Sequence, residues 1–165
     1  IKNNEGYGNG IKIGLERVTA DYVLINHSDG QFDAYQFILS NSESLSEGVE
    51  AVMPQRYNRS LAQIFCTGIL KIILSMFNFK IIHDFNGQPK IFKFSSLKNI
   101  ENLPKDFCID YSLYKIFEDE SLFLPVIQKD RKYGTSSWNT KLIQWIRIFF
   151  RYLWFSLFFN SKDFK

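Results

Sequence analysis

A short apolar run, YVLI at residues 22–25, ends abruptly in polar residues, and this boundary constrains the fold more than any other stretch of the chain. Apolar residues without polar alternation predict a strand that is buried on both faces, as in a parallel sheet. Asn26, His27 and Asp29 follow directly. The run therefore predicts a strand whose tip presents polar side chains, either to begin a turn before Gly30 or to hold a metal ion.

The rest of the chain alternates between helical and strand-like hydrophobic patterns, which is typical of an α/β domain. With 165 residues, 45% of them hydrophobic, the chain is long enough for one compact domain with a core. The patterns predict helices at residues 11–18, 34–41, 60–77 and 108–119, and strands at 48–56, 81–94 (two strands around a turn) and 123–130. The opening, a turn at 6–10 followed by a helix and a strand, resembles the second half of a βαβ unit. We therefore expect a chain that opens on Ile1 to be a fragment of a longer protein.

Charge is distributed unevenly along the chain. The net charge is −5 over residues 1–50, +4 over 51–140 and +4 over 141–165, within a formal total of +3. An acidic beginning and a basic, aromatic end indicate different partners for the two ends. Because 17% of the residues are aromatic, we expect a membrane surface, and no nucleic acid, to be the partner of the basic end.

The two cysteines, Cys66 and Cys108, lie in apolar contexts without the spacing of a metal site. Both are expected to be buried free thiols in a reducing compartment. No secretory signal pattern opens the chain, which agrees with a cytoplasmic location.

Residues 141–159, KLIQWIRIFFRYLWFSLFF, have the most distinctive helical pattern. Lys141, Gln144, Arg147 and Arg151 fall on one face, and apolar residues fill the rest. A bilayer-spanning helix needs about 20 mostly apolar residues, and each arginine would cost roughly 2.5–3.5 kcal/mol at the bilayer centre. We therefore expect an amphipathic helix that lies in the membrane interface. The alternative is that this helix packs against another part of the protein.

Six polar motifs occur in an order that resembles family 2 glycosyltransferases. They are NNEGYGNGIKIGL (3–15), DYVLINHSDGQFD (21–33), QRYNR (55–59), HDFNGQPKIF (83–92), KDFCIDYSLY (105–114) and RKYGTSSWN (131–139). The chain is most similar to the dolichol-phosphate-mannose-synthase-like branch, in which a His-Ala-Asp-Leu-Gln variant replaces the usual Asp-x-Asp motif.

The resemblance implies a partial GT-A fold over residues 1–140, a mixed sheet flanked by helices, and then the amphipathic helix and a polar tail at 141–165. It also implies a nucleotide-sugar donor, Mg²⁺ or Mn²⁺, and a polyprenyl-phosphate or glycan acceptor at the cytoplasmic face of the membrane. In the family, two strand ends that hold the nucleotide base and ribose come earlier, so their counterparts would precede Ile1. The chain would then be the C-terminal portion of a transferase domain, or alternatively a non-catalytic truncated remnant that retains only membrane association.

Asp29 and His27 are the metal-ligand candidates that the resemblance implies. Asp29 matches the second Asp of Asp-x-Asp, and His27 stands at the position of the first. A divalent cation would neutralise the charge on a departing diphosphate, and oxygen ligands suit Mg²⁺ or Mn²⁺. Histidine suits Mn²⁺ better than Mg²⁺, so the metal stays open. Taken alone, Asp29 before Gly30 favours a turn; the ordered motifs favour the metal role.

Three arginines are expected to contact phosphates, because guanidinium groups bind phosphate oxygens in bidentate fashion. Arg56 and Arg59 precede the long apolar helix, and Arg131 lies in a loop that the resemblance places near the diphosphate. The alternative for Arg56 and Arg59 is a pair of solvated side chains at a helix start, which the helix dipole disfavours.

Asp84 and Asp110 match family segments on the acceptor side. Either carboxylate could orient an acceptor hydroxyl or act as a base. A lipid phosphate is already ionised at neutral pH, and catalysis would then depend on the metal, the arginines and alignment. The structural alternatives are a β-turn at residues 86–87 and, for the neighbouring Asp106, a helix N-cap.

Gly8 and Gln31 are expected to support donor binding. Gly8 belongs to the glycine-rich stretch GYGNG, a setting that can cradle phosphate but often does not. In the family this stretch borders the nucleotide. Gln31 follows the family pattern after Asp29, and Asp33 does so too, but Asp33 can instead cap the helix that starts at Ala34.

Overall fold

A four-stranded mixed sheet organises the part of the chain that the computed structural model describes, residues 5–130 and 142–165. The strands are β1 (Tyr22–Ile25), β2 (Ala51–Tyr57), β3 (Lys90–Lys93) and β4 (Ser121–Ile127), in the spatial order β1-β3-β2-β4. β3 is antiparallel to β1 and β2, and β2 is parallel to β4. The carboxyl ends of β1, β2 and β4 therefore lie at the same edge of the sheet as the amino end of β3, and we call this the carboxyl edge.

Helices surround the sheet, so the α/β class and the mixed sheet are confirmed. The α-helices of the described residues are α1 (Tyr7–Leu15), α2 (Ala34–Ser40), α3 (Ser42–Ser46), α4 (Leu61–Asn78), α5 (Cys108–Phe117) and α6 (Leu142–Phe158). Short 3-10 helices occupy Phe94–Ser96, Ile100–Asn102 and Ser161–Phe164. The helices expected at 34–41, 60–77, 108–119 and 141–159 are all present, and so are the strands expected at 48–56 and 123–130.

The strand expected at residues 22–25 is present, but its expected place in a parallel sheet is wrong. Among the described residues β1 pairs only with β3, in antiparallel orientation, and each of its four residues is half-buried. Both faces of β1 nevertheless meet hydrophobic clusters, which accounts for the apolar pattern. Val23 and Ile25 pack against one cluster, and Tyr22 and Leu24 pack against another.

The glycine-rich stretch at residues 6–10 was expected to be a turn, and the structure instead places most of it in the first turns of α1. This helix lies directly against the backbone that precedes α5. A Cβ atom at Gly8 would lie 2.5 Å from the Pro104 carbonyl oxygen and would also overlap the Asp106 carbonyl oxygen. Gly8 is therefore required for the close approach of α1 to this segment.

Residues 81–84, the first of the two strands expected within the 81–94 stretch, belong to no strand in the structure. Side chains take up their backbone donors instead of a neighbouring strand. The amide of Ile82 donates to Ser75 Oγ at 2.9 Å, and the amide of His83 donates to the Tyr114 hydroxyl at 3.0 Å. The prediction of a strand at 81–84 is therefore wrong.

Helix α5 forms the centre of the core, with nine of its ten residues buried. Ile109 and Leu113 belong to the hydrophobic cluster against the sheet. Tyr111 and Tyr114 belong to a second cluster that includes residues of α4 and the buried Tyr152 of α6. α5 thus joins the sheet to the two long helices.

Helix α4 buries Leu70 and Leu74 in the second cluster and leaves many of its other apolar residues exposed. Its evenly spaced polar residues Gln63, Thr67, Lys71 and Ser75 are half-buried. Five apolar residues that we call the α4 apolar stripe are 63% to 98% exposed: Leu61, Phe65, Ile72, Met76 and Phe79. Cys66 lies on this exposed side, so the prediction of burial is wrong for Cys66, whereas it is confirmed for Cys108.

Helix α6 packs against α4 and α5 and also leaves an apolar face exposed. This α6 apolar face consists of residues that are 47% to 69% exposed: Ile143, Ile146, Phe150, Trp154, Leu157 and Phe158. Arg147 is exposed on the same helix, and Arg151 forms an ion pair with Asp106 at 2.7 Å. Within residues 5–130 and 142–165, no helix has both the length and the hydropathy needed to cross a membrane.

Replacing Gly8 by Ala should destabilise the protein by roughly 1–3 kcal/mol, because the added methyl group meets backbone carbonyl oxygens that cannot move freely. Gly14→Ala in the same helix is the matched control, since nothing lies within 4 Å of a Cβ added there. The control should stabilise the protein by about 0.5–1 kcal/mol. Chemical denaturation measures both changes, and equal effects would contradict the close approach of α1.

Candidate functional site

Most of the residues singled out from the sequence lie together at the carboxyl edge. They are His27, Asp29 and Gln31 after β1, Arg56 and Arg59 at and after the end of β2, Asp84 before β3, and Asp110, which contacts the first residue of β3. The ionisation of His27 responds to the charges of Asp29, Arg56 and Asp110, so these groups belong to one electrostatic environment. β3 is antiparallel to both β1 and β2, so this edge of the sheet brings together residues that are far apart in the chain.

Arg56 and Asp84 form a bidentate ion pair. Arg56 Nε donates to Asp84 Oδ2 and Nη2 donates to Oδ1, both at 2.6 Å, and the two side chains are 12% and 11% exposed. Burial raises the pKa of Asp84, but the hydrogen bonds and charge of Arg56 lower it further, so the pKa lies below its ordinary value. Asp84 is therefore a weak base, and its carboxylate holds the guanidinium of Arg56 in place.

A second ion pair joins the fully buried Lys90 to Asp110. Lys90 Nζ donates to Asp110 Oδ1 at 2.5 Å and to the Gly87 carbonyl at 2.8 Å. Gln88 Nε2 donates to the same carboxylate oxygen at 2.9 Å. Burial lowers the pKa of Lys90, and the charge of Asp110 opposes that shift. Asp110 thus serves as the counterion of a buried lysine.

His27 is held against α1. Its Nε2 lies 3.1 Å from the Tyr7 hydroxyl oxygen, and its ring meets the rings of Tyr7 and Phe32 edge-on. Burial lowers the pKa of His27, and the Asp110 carboxylate only partly opposes this shift. The imidazole is therefore neutral at neutral pH, which is the form that coordinates a cation.

Asp29 forms the turn that its position before Gly30 predicted. Its Oδ1 accepts a hydrogen bond from the Gln31 amide at 3.1 Å. Gln31 is tied in turn to the segment after β4, because it donates to the Lys129 carbonyl at 3.2 Å and accepts from the Lys129 amide at 2.9 Å. Asp33 caps α2 by accepting from the Gln36 amide. A carboxylate can accept several bonds, so the turn does not prevent Asp29 from binding a cation.

Several buried polar atoms at the same carboxyl edge have no hydrogen-bond partner. Among the described residues, five buried side-chain atoms have no hydrogen-bond partner, and only Glu118 Oε2 lies elsewhere. The four at the carboxyl edge are Asn26 Oδ1, Arg59 Nε, Gln88 Oε1 and Gln128 Oε1. Because buried polar atoms are nearly always paired in native proteins, this cluster indicates a place where a polar ligand or ordered water completes the bonding.

Of the two predicted phosphate contacts that the structure describes, Arg59 has the greater remaining capacity for an anion. Its Nη2 donates to the Gln63 carbonyl at 3.2 Å, while Nε is unpaired. Burial and the nearby Arg56 lower the pKa of Arg59, and a bound anion would offset both effects. Arg56 is already engaged by Asp84, and Arg131 lies outside the described residues.

Three residues of the site lie within the ordered motifs, but the sequence assigned them no role: Tyr7, Gln88 and Lys90. The available signal was Lys90 itself, a cation at the start of the short apolar strand KIFK. Such a lysine is expected at a surface, and only the partner on α5 explains its burial. The packing of Gly8 against the Pro104 and Asp106 backbone accounts for the glycine without a role in donor binding.

The side chains at the carboxyl edge can provide only part of a metal site. Within the described part of the chain, no group of three or more His, Cys, Asp or Glu side chains could hold a metal. Asp29 and His27 can supply only part of a coordination sphere. That arrangement does not suit a structural metal site, but it suits Mg²⁺ or Mn²⁺, which often combine one or two protein ligands with substrate phosphates and water.

Comparisons with known proteins assign no family to the chain. No family model matches it, and no curated protein matches it significantly. The choice of reaction therefore depends on the ordered motifs and on the chemistry of the carboxyl edge.

Asp84→Asn should destabilise the protein by about 3–5 kcal/mol at neutral pH, because the buried Arg56 loses its counterion. The folded pKa of Asp84 lies below the unfolded value of about 3.9, so its contribution to stability is complete above that value. The contribution is lost as the pH falls through the folded pKa. Free energies of unfolding measured from neutral to strongly acidic pH test both statements.

Asp119→Asn is the matched control for this prediction. Its carboxylate is 69% exposed and pairs with Lys80 at the surface. Its loss should change the free energy of unfolding by less than about 1 kcal/mol. A similar decrease in the free energy of unfolding of both variants would show that the buried Arg56–Asp84 pair stabilises the protein no more than a surface ion pair does.

Proposed function

We propose that this chain is the metal-side and acceptor-side part of a family 2 glycosyltransferase domain with a partial GT-A fold. It would move a sugar from a nucleotide-sugar donor to a polyprenyl-phosphate or glycan acceptor. The observation that carries the proposal is the cluster of unpaired buried polar atoms beside arginines and the Asp29–His27 pair. Open α/β sheets bind ligands outside the carboxyl ends of their strands, which is where this cluster lies.

The donor diphosphate would bind through cationic groups. Asp29 and His27 would hold Mg²⁺ or Mn²⁺, and the bound cation would neutralise charge on the leaving diphosphate. Arg59 would donate from its unpaired Nε. Arg56, fixed by Asp84, supplies a positive charge that needs no reorganisation during the reaction.

The carboxylates favour one of the two acceptor classes. Asp84 is committed to Arg56 and Asp110 to Lys90, so neither is well suited to remove a proton from a sugar hydroxyl. A polyprenyl phosphate is already an anion at neutral pH and needs no base. The site therefore supports a lipid-phosphate acceptor better than a glycan.

A lipid acceptor requires contact with a membrane, and the α4 apolar stripe and the α6 apolar face supply a suitable surface. The two helices contact each other, so their exposed apolar residues can enter one leaflet together. Exposed Arg147 could contact lipid phosphates at the rim. We therefore propose a peripheral location on the cytoplasmic face of the membrane.

A second candidate is a non-catalytic remnant that retains only membrane association. It is favoured by the observation that Asp29, Asp84 and Asp110 all have partners within the protein. The two candidates predict the same membrane binding and different nucleotide binding. Binding of a nucleoside diphosphate therefore separates them.

Calorimetric titration of the chain with a panel of nucleoside diphosphates and Mn²⁺ should detect binding of at least one. Asp29→Ala should weaken this binding by at least about tenfold, because a charged ligand of the cation is lost. Asp21→Ala is the matched control, since Asp21 is exposed at the opposite end of β1. Equal affinity of the Asp29→Ala variant and the wild type would contradict the metal role, and no binding at all would favour the remnant.

Phe65→Glu should weaken binding to vesicles of phosphatidylcholine and phosphatidylglycerol by at least about tenfold. Burial of a large apolar side chain contributes about 1.5–3 kcal/mol, which is tenfold or more in affinity. Tyr35→Glu is the control, because Tyr35 is an exposed aromatic residue on α2, outside the α4 apolar stripe. Flotation measures both variants, and unchanged binding of Phe65→Glu would remove α4 from the membrane contact.

A further inference from the structure

Most of the unpaired buried atoms at the carboxyl edge are of one chemical kind. Among the described residues, the amide oxygens of Asn26, Gln88 and Gln128 are buried without a hydrogen-bond partner. An amide oxygen can only accept hydrogen bonds. In Gln88 the nitrogen faces the carboxylate of Asp110 at 2.9 Å, and because an ionised carboxylate only accepts, the unpaired atom must be the oxygen. A group that completes the bonding of these oxygens must therefore donate hydrogen bonds to them.

The three amides adjoin the loop that follows β1. Asn26 directly follows this strand, and Gln88 lies two residues before β3, which pairs with β1 in antiparallel orientation. Gln128 directly follows β4, and its neighbour Lys129 exchanges two hydrogen bonds with Gln31 of the same loop, at 2.9 Å and 3.2 Å. The unpaired oxygens therefore lie near the loop that also carries the two metal-ligand candidates.

Neither a phosphate group nor a further cation suits these oxygens. Phosphate oxygens are themselves acceptors, so they cannot donate to an amide oxygen. A cation at Gln88 would lie near the ammonium group of Lys90, because Lys90 and the Gln88 nitrogen donate to the same oxygen of Asp110. Like charges at such a buried position repel each other strongly. A sugar hydroxyl group donates a hydrogen bond and carries no charge, so it suits the amide oxygens best.

We propose that Asn26 and Gln128 hold the transferred sugar of the nucleotide-sugar donor by accepting hydrogen bonds from its hydroxyl groups. The proposal rests on the proposed function, in which Asp29 and His27 hold the cation on the diphosphate to which the sugar is bonded. Gln88 is fully buried, so the two half-buried amides are the ones that a ligand can reach. The terminal torsion of an amide side chain is soft, and a small rotation presents each oxygen to the ligand.

Calorimetric titration with Mn²⁺ compares UDP, GDP, dTDP and CDP, each alone and with glucose or mannose attached. Asn26→Leu and Gln128→Met remove an acceptor at similar side-chain size. Each should weaken binding of the nucleotide sugar about two- to tenfold, the net effect of one neutral hydrogen bond, and leave binding of the diphosphate alone unchanged. Gln36→Met is the matched control, because this amide is exposed on α2.

Gln128→Glu separates an acceptor from simple packing. It keeps an acceptor and removes the amide donor, so the ratio of nucleotide-sugar affinity to diphosphate affinity should stay at the wild-type value. Equal weakening of both ligands in Asn26→Leu and Gln128→Met, or unchanged binding of both, would overturn the sugar contact and leave the proposed function intact. Binding of no diphosphate by the wild type would overturn both.

The unliganded protein provides an independent measurement. An unpaired buried acceptor costs free energy, so Gln128→Met should raise the midpoint of chemical denaturation, whereas Gln36→Met should leave it unchanged. A lower midpoint for Gln128→Met would show that this amide stabilises the fold by itself, and it would contradict a role reserved for the ligand.

Discussion

The buried ion pair between Lys90 and Asp110 is the interaction on which the candidate site depends. A buried ammonium group requires a counterion, and Asp110 supplies it from the first turn of α5. Pairs of this kind add little stability compared with apolar residues of similar size, so their main effect is on geometry. This pair fixes α5 to the amino end of β3. Gln88 Nε2, which donates to Asp110, also donates to the Tyr7 hydroxyl and so brings α1 to the same point.

The carboxyl edge and helix α4 adjoin along the chain and differ in their chemistry. α4 begins two residues after Arg59, so the polar site passes directly into the exposed α4 apolar stripe. A ligand with an anionic head and a long apolar tail matches this order. The polar residues of α4 are half-buried beside Leu70 and Leu74, which enter the core, while the α4 apolar stripe stays exposed.

Much of the fold is predictable from the sequence because hydrophobic periods are local, and the helix at 60–77 is an example. The edge position of β1 is not predictable, since it depends on which distant strands pair. The exposure of the α4 apolar stripe also escapes prediction, because a periodic pattern defines a face but not its surroundings. The motifs locate His27, Asp29, Arg59 and Lys90, but the burial of Lys90 is not predictable because its partner Asp110 lies twenty residues away on another element.

Hydrogen–deuterium exchange of the chain, with and without a nucleoside diphosphate and Mn²⁺, is the most direct test of a ligand site at the carboxyl edge. Bound ligand should slow amide exchange in residues 26–31, which follow β1, and in residues 56–60, at and after the end of β2. Residues 18–21, at the opposite end of β1, should stay unchanged. If amide exchange in both segments stays unchanged with every nucleoside diphosphate at saturating concentration, the proposal of a ligand site at the carboxyl edge is contradicted.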